Sequence, residues 1–290
     1  MRKFDKPQKG KAYDKLPKKT VETFDSTVYA VSTKFDGNQI FITKDSDGIE
    51  FYTSDWKQFN LPRIAERLSI MLVNSPDCII LAEMNYGLNS GKLGDRVRVQ
   101  GKITTERVRF SKGLNSIINE DLVVLNMFDF IIVGESDMTY AQRHDMGVMF
   151  KLPMVEISVM TGKQAKDRAK SLVNDGWEGV MCIEPDSVYR AGKRVNHMVK
   201  LKYRKTADLL CVGVEPGEGK YEGMIGSLVL QDKEGRVVSV GSGLSDNARC
   251  EEPSYFIGEV VEIEYEQILD TYIQPTFVTV RFDKTKDEID

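Results

Sequence analysis

The stretch Ser32-Thr33-Lys34-Phe35-Asp36-Gly37-Asn38 lies between two apolar runs that read as strands, residues 28–31 and 39–43. In an extended segment alternate side chains share a face, so Lys34 and Asp36 lie together and Phe35 points away. An amine then stands beside a carboxylate, and Gly37 allows close backbone approach. Such an amine serves as a nucleophile where its site disfavours the ammonium form or a metal draws off charge. Lys-x-Asp-Gly is short, however, and Asp-Gly also turns ordinary hairpins. The rest of the chain has to decide between an apolar hairpin with a charged turn and a reactive lysine.

Other residues with chemical potential follow in order. Residues 61–74 carry apolar side chains at helical spacing (Leu61, Ile64, Ala65, Leu68, Leu72). Residues 78–83 form an apolar run that reads as a buried strand with Glu83 at its end, a carboxylate open to capping, ion-pair or metal roles. Residues 87–113 are rich in glycine and cations. Lys92, Arg96, Arg98, Lys102, Arg107, Arg109 and Lys112 face acids only at Asp95 and Glu106, which suits a phosphate backbone or a solvated loop and strand. Residues 122–133 read as a central buried strand with Phe128-Asp129 at its middle. Thr139-Tyr140 through Arg143 opens a helix, and residues 163–175 form another, stopped by Gly176. Glu178 enters the strand at 177–183. Residues 189–194 make a basic turn. Lys200 and Lys202 alternate with Leu201, share one face, and repel unless an anion lies between them. Beyond residue 206 the texture changes to five short strands with glycine-rich turns, near 209–214, 225–230, 237–240, 259–265 and 276–282. That pattern predicts a small β-barrel of the oligonucleotide-binding kind.

Composition limits the field. At 290 residues and 41% hydrophobic content the chain can build two domains with real cores. No apolar run is long enough to cross a bilayer, and Met1-Arg2-Lys3-Phe4-Asp5-Lys6 lacks the apolar heart of a signal peptide. Four widely spaced cysteines (Cys78, Cys182, Cys211, Cys250) and two histidines (His144, His197) suggest neither a zinc site, a disulfide framework nor a Ser-His-Asp engine. A reducing, cytoplasmic setting is expected. The net charge of −4 is unevenly spread: residues 1–203 hold 31 basic and 26 acidic side chains, residues 204–290 hold nine and 18. The front also begins with a lysine-rich stretch (Arg2, Lys3, Lys6, Lys9, Lys11, Lys15, Lys18, Lys19), read here as an irregular basic arm, solvated or set against a polyanion.

Taken in order, these pieces resemble the ATP-dependent DNA ligases of the covalent nucleotidyltransferase superfamily, most of all the compact two-domain bacteriophage type. The carrying residues are Lys34-Phe35-Asp36-Gly37, Glu83, Phe128-Asp129, Tyr140 with Arg143, Glu178-Gly179 and Lys200-Leu201-Lys202. The glycine-rich segments 213–228 and 241–246 and the terminal Arg281-Phe282-Asp283-Lys284 complete the set. The resemblance implies an α+β architecture. A basic arm (1–24) precedes an ATP-grasp-like nucleotidyltransferase domain (25–203) with mainly antiparallel sheets, then an OB-fold β-barrel (204–290). It implies that Lys34, with Asp36 at its side, attacks ATP to form a lysyl-AMP. The AMP passes to the 5′-phosphate of a nick, where the 3′-hydroxyl displaces it. Thr33, Phe128 and Arg143 would hold the nucleotide, with Phe128 stacked on adenine and Arg143 on the nucleotide or on a carboxylate. Lys200 and Lys202 would hold the α-phosphate. Glu83 and Glu178 would take Mg²⁺ (or Mn²⁺) or the ribose. Arg281, Asp283 and Lys284 would reach the pyrophosphate. Lys92, Arg96, Arg98, Lys102 and Arg194 would meet nicked duplex DNA. The implied setting is a monomer in the cytoplasm, that of a bacterial host if the chain is phage-encoded, serving DNA replication, repair and recombination.

Two positions depart from the family pattern. Gln39 stands where an arginine usually follows the lysine motif, and a second arginine is missing from the stretch Tyr52-Thr53-Ser54-Asp55. Lys44, Lys57 or Arg63 would have to replace them. The same departures are reminiscent of RNA ligases, so an RNA ligase or another polynucleotide 5′-nucleotidyltransferase is the competing enzyme. An NAD-dependent ligase lacks its front domain and zinc cysteines here. A binding module that had lost catalysis would not be expected to keep Lys34, Glu83, Glu178, Lys200 and Lys202 together.

Overall fold

The computed structural model describes residues 5–87, 91–268 and 270–290. Arg2 and Lys3 of the basic stretch, and residues 88–90 of the glycine-rich patch, lie outside them. The chain divides into two compact units, Met1–Tyr203 and Arg204–Asp290.

The first unit begins with β1 (Lys9–Ala12), α1 (Lys18–Phe24) and β2 (Val28–Thr33). From Lys9 to Phe24 the basic stretch is therefore mostly strand and helix rather than irregular. Phe24 anchors α1 with no exposed surface, and β1 pairs in parallel with a later strand, satisfying its backbone groups. After the Lys34 loop come β3 (Asn38–Asp45), β4 (Gly48–Thr53), β5 (Gln58–Phe59) and α2 (Pro62–Met71). Ile64 and Leu68 face the core one turn apart. Glu120 caps the start of α2 by accepting from Arg63 N (3.2 Å) and Ile64 N (2.8 Å). Next are β6 (Cys78–Tyr86), α3 (Asp95–Ser111), β7 (Val123–Ile132) and α4 (Tyr140–Met149). Thr139 and Gln142 close a capping box on α4. The unit ends with β8 (Ser158–Thr161), α5 (Gly162–Asn174), β9 (Val180–Ile183) and β10 (Arg194–Leu201).

These strands make two five-stranded sheets, ordered β1-β10-β9-β2-β8 and β5-β4-β3-β6-β7. Three sequence expectations change. The strands flanking Lys34 do not form a hairpin: β2 belongs to the first sheet and β3 to the second, so the lysine loop crosses between sheets. β7 is an edge strand rather than a central one. Its apolar run faces the core through Met127 and Phe130, while Val124 at 40% exposed faces out. Residues 95–111 are helical, with Val99, Ile103 and Glu106 turned inward on one face; Gly101 and the β-branched residues obscured that period in the sequence.

The second unit contains β11 (Lys205–Pro216), β12 (Ile225–Gln231), β13 (Val237–Val240) and a short helix, α6 (Asp246–Arg249). It continues with β14 (Val260–Tyr265), a two-stranded ribbon of β15 (Gln267–Ile268) and β16 (Tyr272–Ile273), and β17 (Thr276–Val280). The main sheet is ordered β13-β12-β11-β14-β17 and antiparallel throughout. Val261, Ile263 and Tyr265 point into its core while Glu262 and Glu264 alternate outward. Among the described residues β13 and β17 do not pair, so the expected barrel is an open OB-like sheet.

Candidate active site

The crossing loop puts Lys34 in the lining of a cavity of about 400 Å³ in the first unit. Its backbone N–H donates to Gly179 O at 2.9 Å, tying the end of β2 to the entry of β9. Its Nζ is ion-paired with Glu178, not with Asp36, because the loop leaves the strand and the alternation of faces stops there. Asp36 instead accepts from Gly94 N (2.7 Å), and its own N–H donates to Gly91 O (3.1 Å). It is a brace between the lysine loop and the segment leading into α3. Asn85, fully buried on β6, donates to the Asp36 carbonyl (2.9 Å) and accepts from Asn126 (2.9 Å). Gly37 is required by space: a Cβ there would lie 2.5 Å from the Met84 carbonyl.

Glu178 is 7% exposed and also pairs with Lys202, so each carboxylate oxygen faces one ammonium. Burial alone would push its pKa up; the two cations outweigh that and hold it below the ordinary carboxylate range. Gly179 (φ +133°) lets β9 begin against Leu201, where a Cβ would meet the Leu201 carbonyl at 2.0 Å. Glu83 sits within β6, not at its end, and accepts from Gly37 N at 3.1 Å. Burial, with Glu178 nearby, raises its pKa to about 7 against the pull of Lys34. Lys200 has no carboxylate partner of its own among the described residues. Burial first, then Lys34 and Lys202, depress its pKa to about 8.

Thr33, Lys34, Glu83, Phe128, Lys200, Arg96 and Arg194 all line the cavity, from strands of both sheets and from α3. Phe128 rests on the aromatic cluster around Phe41 and Trp56, whose rings stack at 4.4 Å. Arg143 is not a lining residue. It is buried and bidentate to Asp129, with Nε to Oδ1 at 2.7 Å and Nη2 to Oδ2 at 3.1 Å, so it orients the carboxylate behind Phe128. On and before α3, Lys92 donates to Asp175 O (3.1 Å) and lies over Trp177. Lys102 lies over Tyr86, and Arg98 reaches Asp95 at 3.5 Å. Arg281 and Lys284 belong to the second unit and are held there by carboxylates. The suggested replacements for the missing arginines are elsewhere. Lys44 donates to Ser75 O and Arg63 pairs with Asp121, while Lys57 does not line the cavity. Gln39 itself does line it.

Sequence reading missed Gln8, Lys9 and Gly10, which β1 brings to the same cavity by pairing with β10. Their signal was faint: a four-residue strand among lysines shows no periodicity.

Residues 7–202 match the family model of the ATP dependent DNA ligase domain, and residues 216–281 that of the DNA ligase OB-like domain. The chain belongs to the ATP-dependent DNA ligase family. Among curated relatives, DNA ligase 2 of Haloquadratum walsbyi is 27% identical over 314 residues, covering 93% of this chain and 49% of that protein. A DNA ligase of Methanococcoides burtonii is 25% identical over 332 residues, covering 98% and 56%. The chain thus spans about half the length of these archaeal relatives. Among solved structures, one from a study of DNA binding by Lig E DNA ligases superposes with a TM-score of 0.70 at 20% identity, covering 96% of this chain and 99% of that one. The ATP-dependent DNA ligase of bacteriophage T7, in complex with ATP, gives 0.52 at 14% identity, covering 95% and 98%. These likenesses establish the ligase fold: a nucleotidyltransferase-type domain followed by an OB-like domain. No helix among the described residues is long and apolar enough to cross a membrane.

Proposed function

We propose that this ligase-family chain seals 5′-phosphate/3′-hydroxyl nicks in duplex DNA at the expense of ATP, through Lys34. The observation that carries the reading is the Lys34–Glu178–Lys202 chain of charges beside Lys200, at a cavity walled by Phe128. In the first step the deprotonated Lys34 amine attacks the α-phosphorus. A P–N bond forms, the bridging α–β P–O bond breaks, and pyrophosphate leaves with the electron pair; the amine proton has gone to solvent. In the second, an oxygen of the nick 5′-phosphate attacks the AMP phosphorus; a P–O bond forms, the P–N bond breaks, and the Lys34 nitrogen takes up a proton from solvent and leaves as the amine. In the third, the 3′-hydroxyl attacks that phosphate, loses its proton and expels AMP. Each step moves charge on phosphorus, so fixed cations contribute more than proton shuttles. Lys200, whose ammonium is disfavoured without an anion, and Lys202 supply them. Phe128 offers a stacking face for the base, and Asp129 is held rigid by Arg143.

Glu83 and Glu178 are the carboxylates that would take a metal, Glu178 through the oxygen that Lys34 frees when its amine is deprotonated. Among the described residues no third His, Cys, Asp or Glu joins them in a cluster. Two carboxylates without a protein cage suit Mg²⁺ or Mn²⁺, which complete their shell with phosphate oxygens. Bound there, the ion would neutralise phosphate charge.

In this reading the first unit, including β1, is the adenylation domain, and Arg281, Asp283 and Lys284 of the second meet the pyrophosphate during the first step. The exposed cations of α3, with Arg194, meet the duplex backbone. The test is a panel of nicked duplexes with DNA or RNA on each side of the nick, incubated with ATP and Mg²⁺. Sealing of all-DNA nicks, lost in Lys34→Ala, is expected. Sealing confined to RNA ends would replace the reading with an RNA ligase, in which Gln39 and Ser54 acquire meaning.

A further inference from the structure

The chain leaves β2 after Thr33 and enters β3 at Asn38, so residues 34–37 cross between the sheets outside any strand. At the end of that crossing one peptide unit is held on both sides by side chains of β6. The Asp36 carbonyl accepts from Asn85 Nδ2 at 2.9 Å, and the N–H of the same unit, Gly37 N, donates to Glu83 Oε1 at 3.1 Å. Glu83 and Asn85 alternate with Met84, so they share a face of β6 and reach one peptide together. Asn126, the Cα partner of Glu83 on β7, lies on that face and donates to Asn85 Oδ1 at 2.9 Å. These partners fix the amide: a backbone carbonyl can only accept, so the nitrogen of Asn85 faces Asp36 and its oxygen is left for Asn126. Asn85 has no exposed surface, and a buried amide is costly unless it is hydrogen-bonded.

We infer that Asn85 is a positioning residue for the steps in which Lys34 gains and loses AMP. It locks the Asp36–Gly37 peptide, and so fixes the course of the chain on one side of the nucleophile; the other side is tied by Lys34 N to Gly179 O. This deepens the proposed function and rests on it. A peptide that precedes glycine can turn over, because glycine accepts either sign of φ. Turned over here, its carbonyl would face the Glu83 carboxylate and its N–H the Asn85 nitrogen, acceptor against acceptor and donor against donor. The two holds are not equivalent. Glu83 lines the cavity and is one of the carboxylates that would take a metal, so its bond to Gly37 N has to be shared with the substrate complex. Asn85 is not a lining residue, carries no charge, and spends its nitrogen on Asp36 and its oxygen on Asn126. It keeps the peptide in place while Glu83 serves the substrate. An amide that only stabilised the sheet would affect all three chemical steps alike. Asn85 acts on the first two, because Lys34 neither gains nor loses a bond in the third.

The test separates the steps in the full chain. Lysyl-AMP formation from ATP is timed in single turnover across ATP concentrations. Sealing of a nick that already carries a 5′-adenylate is timed without ATP. Asn85→Leu keeps the branched shape and removes both hydrogen bonds. Misplacing a reacting group by about an ångström costs up to about a hundredfold, so Asn85→Leu is expected to lower the adenylation rate at saturating ATP roughly ten- to a hundredfold. The ATP concentration giving half that rate, and the sealing of the adenylated nick, should each stay within about threefold of wild type. Equal loss in both assays, a loss confined to the ATP concentration required, or adenylation within about twofold of wild type overturns the inference. If Asn85→Leu does not fold, Asn126→Leu carries the test: it frees the Asn85 oxygen and lets the amide turn. A smaller loss, again confined to adenylation, is then expected, and an unselective or absent loss overturns the inference. A wild-type protein that takes up no AMP from ATP would sink the ligase reading itself, and the inference with it; a wild type that adenylates beside an unselective variant sinks the inference alone.

Discussion

Replacing Lys200 by methionine should stabilise the protein while disabling it. Lys200 lies half-buried beside Lys34 and Lys202, and its pKa falls from 10.5 to about 8. A shift of that size corresponds to about 3 kcal/mol of disfavoured charge, at 1.36 kcal/mol per pKa unit. Because the side chain partly faces solvent, roughly 1–2 kcal/mol is the realistic part. The sign follows from proton counts. Between the folded pKa of about 8 and the unfolded 10.5, the unfolded chain binds more protons, so stability rises with pH across that window. Below pH 8 the full penalty applies. Methionine fills the same space without the ammonium. Urea unfolding at pH 7 should therefore show Lys200→Met more stable by roughly 1–2 kcal/mol, with the gain fading towards pH 10.5. Lysyl-AMP formation should fall at least about a hundredfold, the scale of losing one charge-stabilising group. A destabilised variant at pH 7, or a gain that does not change with pH, would refute the electrostatic argument.

Two further outcomes follow from other parts of the site. Arg143→Met leaves the buried Asp129 charge unpaired and should cost about 3–5 kcal/mol, measured by denaturant unfolding. The double variant Asp129→Leu, Arg143→Met should recover much of that stability, whereas an additive loss would count against the pairing as drawn. Arg98 and Lys102 lie one turn apart on α3. Changing both to alanine should lower the slope of log binding constant against log salt for a nicked duplex by about 2, and an unchanged slope would remove that face from the DNA interface.

Much of the site was legible because its residues sit at the ends or edges of strongly apolar runs. Lys34, Glu83, Phe128, Glu178, Lys200 and Lys202 each interrupt or border a strand, and a charge at such a place has to be explained. What could not be read was partnership. The alternation of strand faces paired Lys34 with Asp36, yet the chain changes sheets there, and Glu178 from 144 positions downstream takes the amine. Likewise the resemblance left Arg143 between the nucleotide and a carboxylate, and only the fold assigns it to Asp129. The N-terminal lysines hid β1 because a short strand stabilised by parallel pairing with β10 leaves no local period. Helix α3 was concealed by its own cations and by Gly101, although Val99 and Ile103 are one turn apart. In the second unit the strands were evident from their alternation, but an open or closed sheet is decided by edge pairing, which no single segment encodes. The ion pairs of Arg281 were invisible for the same reason: Asp208, Glu262 and Asp283 come from β11, β14 and the terminal turn.

The central claim is that Lys34 carries AMP from ATP to a nick. The most direct measurement is a chase: the protein is loaded with α-labelled ATP and Mg²⁺, freed of nucleotide, and mixed with nicked duplex DNA. Label is expected on Lys34, absent from Lys34→Ala, and should move to the 5′-phosphate of the nick and be released as AMP when the strand is sealed. Label on another residue, or a labelled protein that never transfers to any nicked duplex, would contradict it.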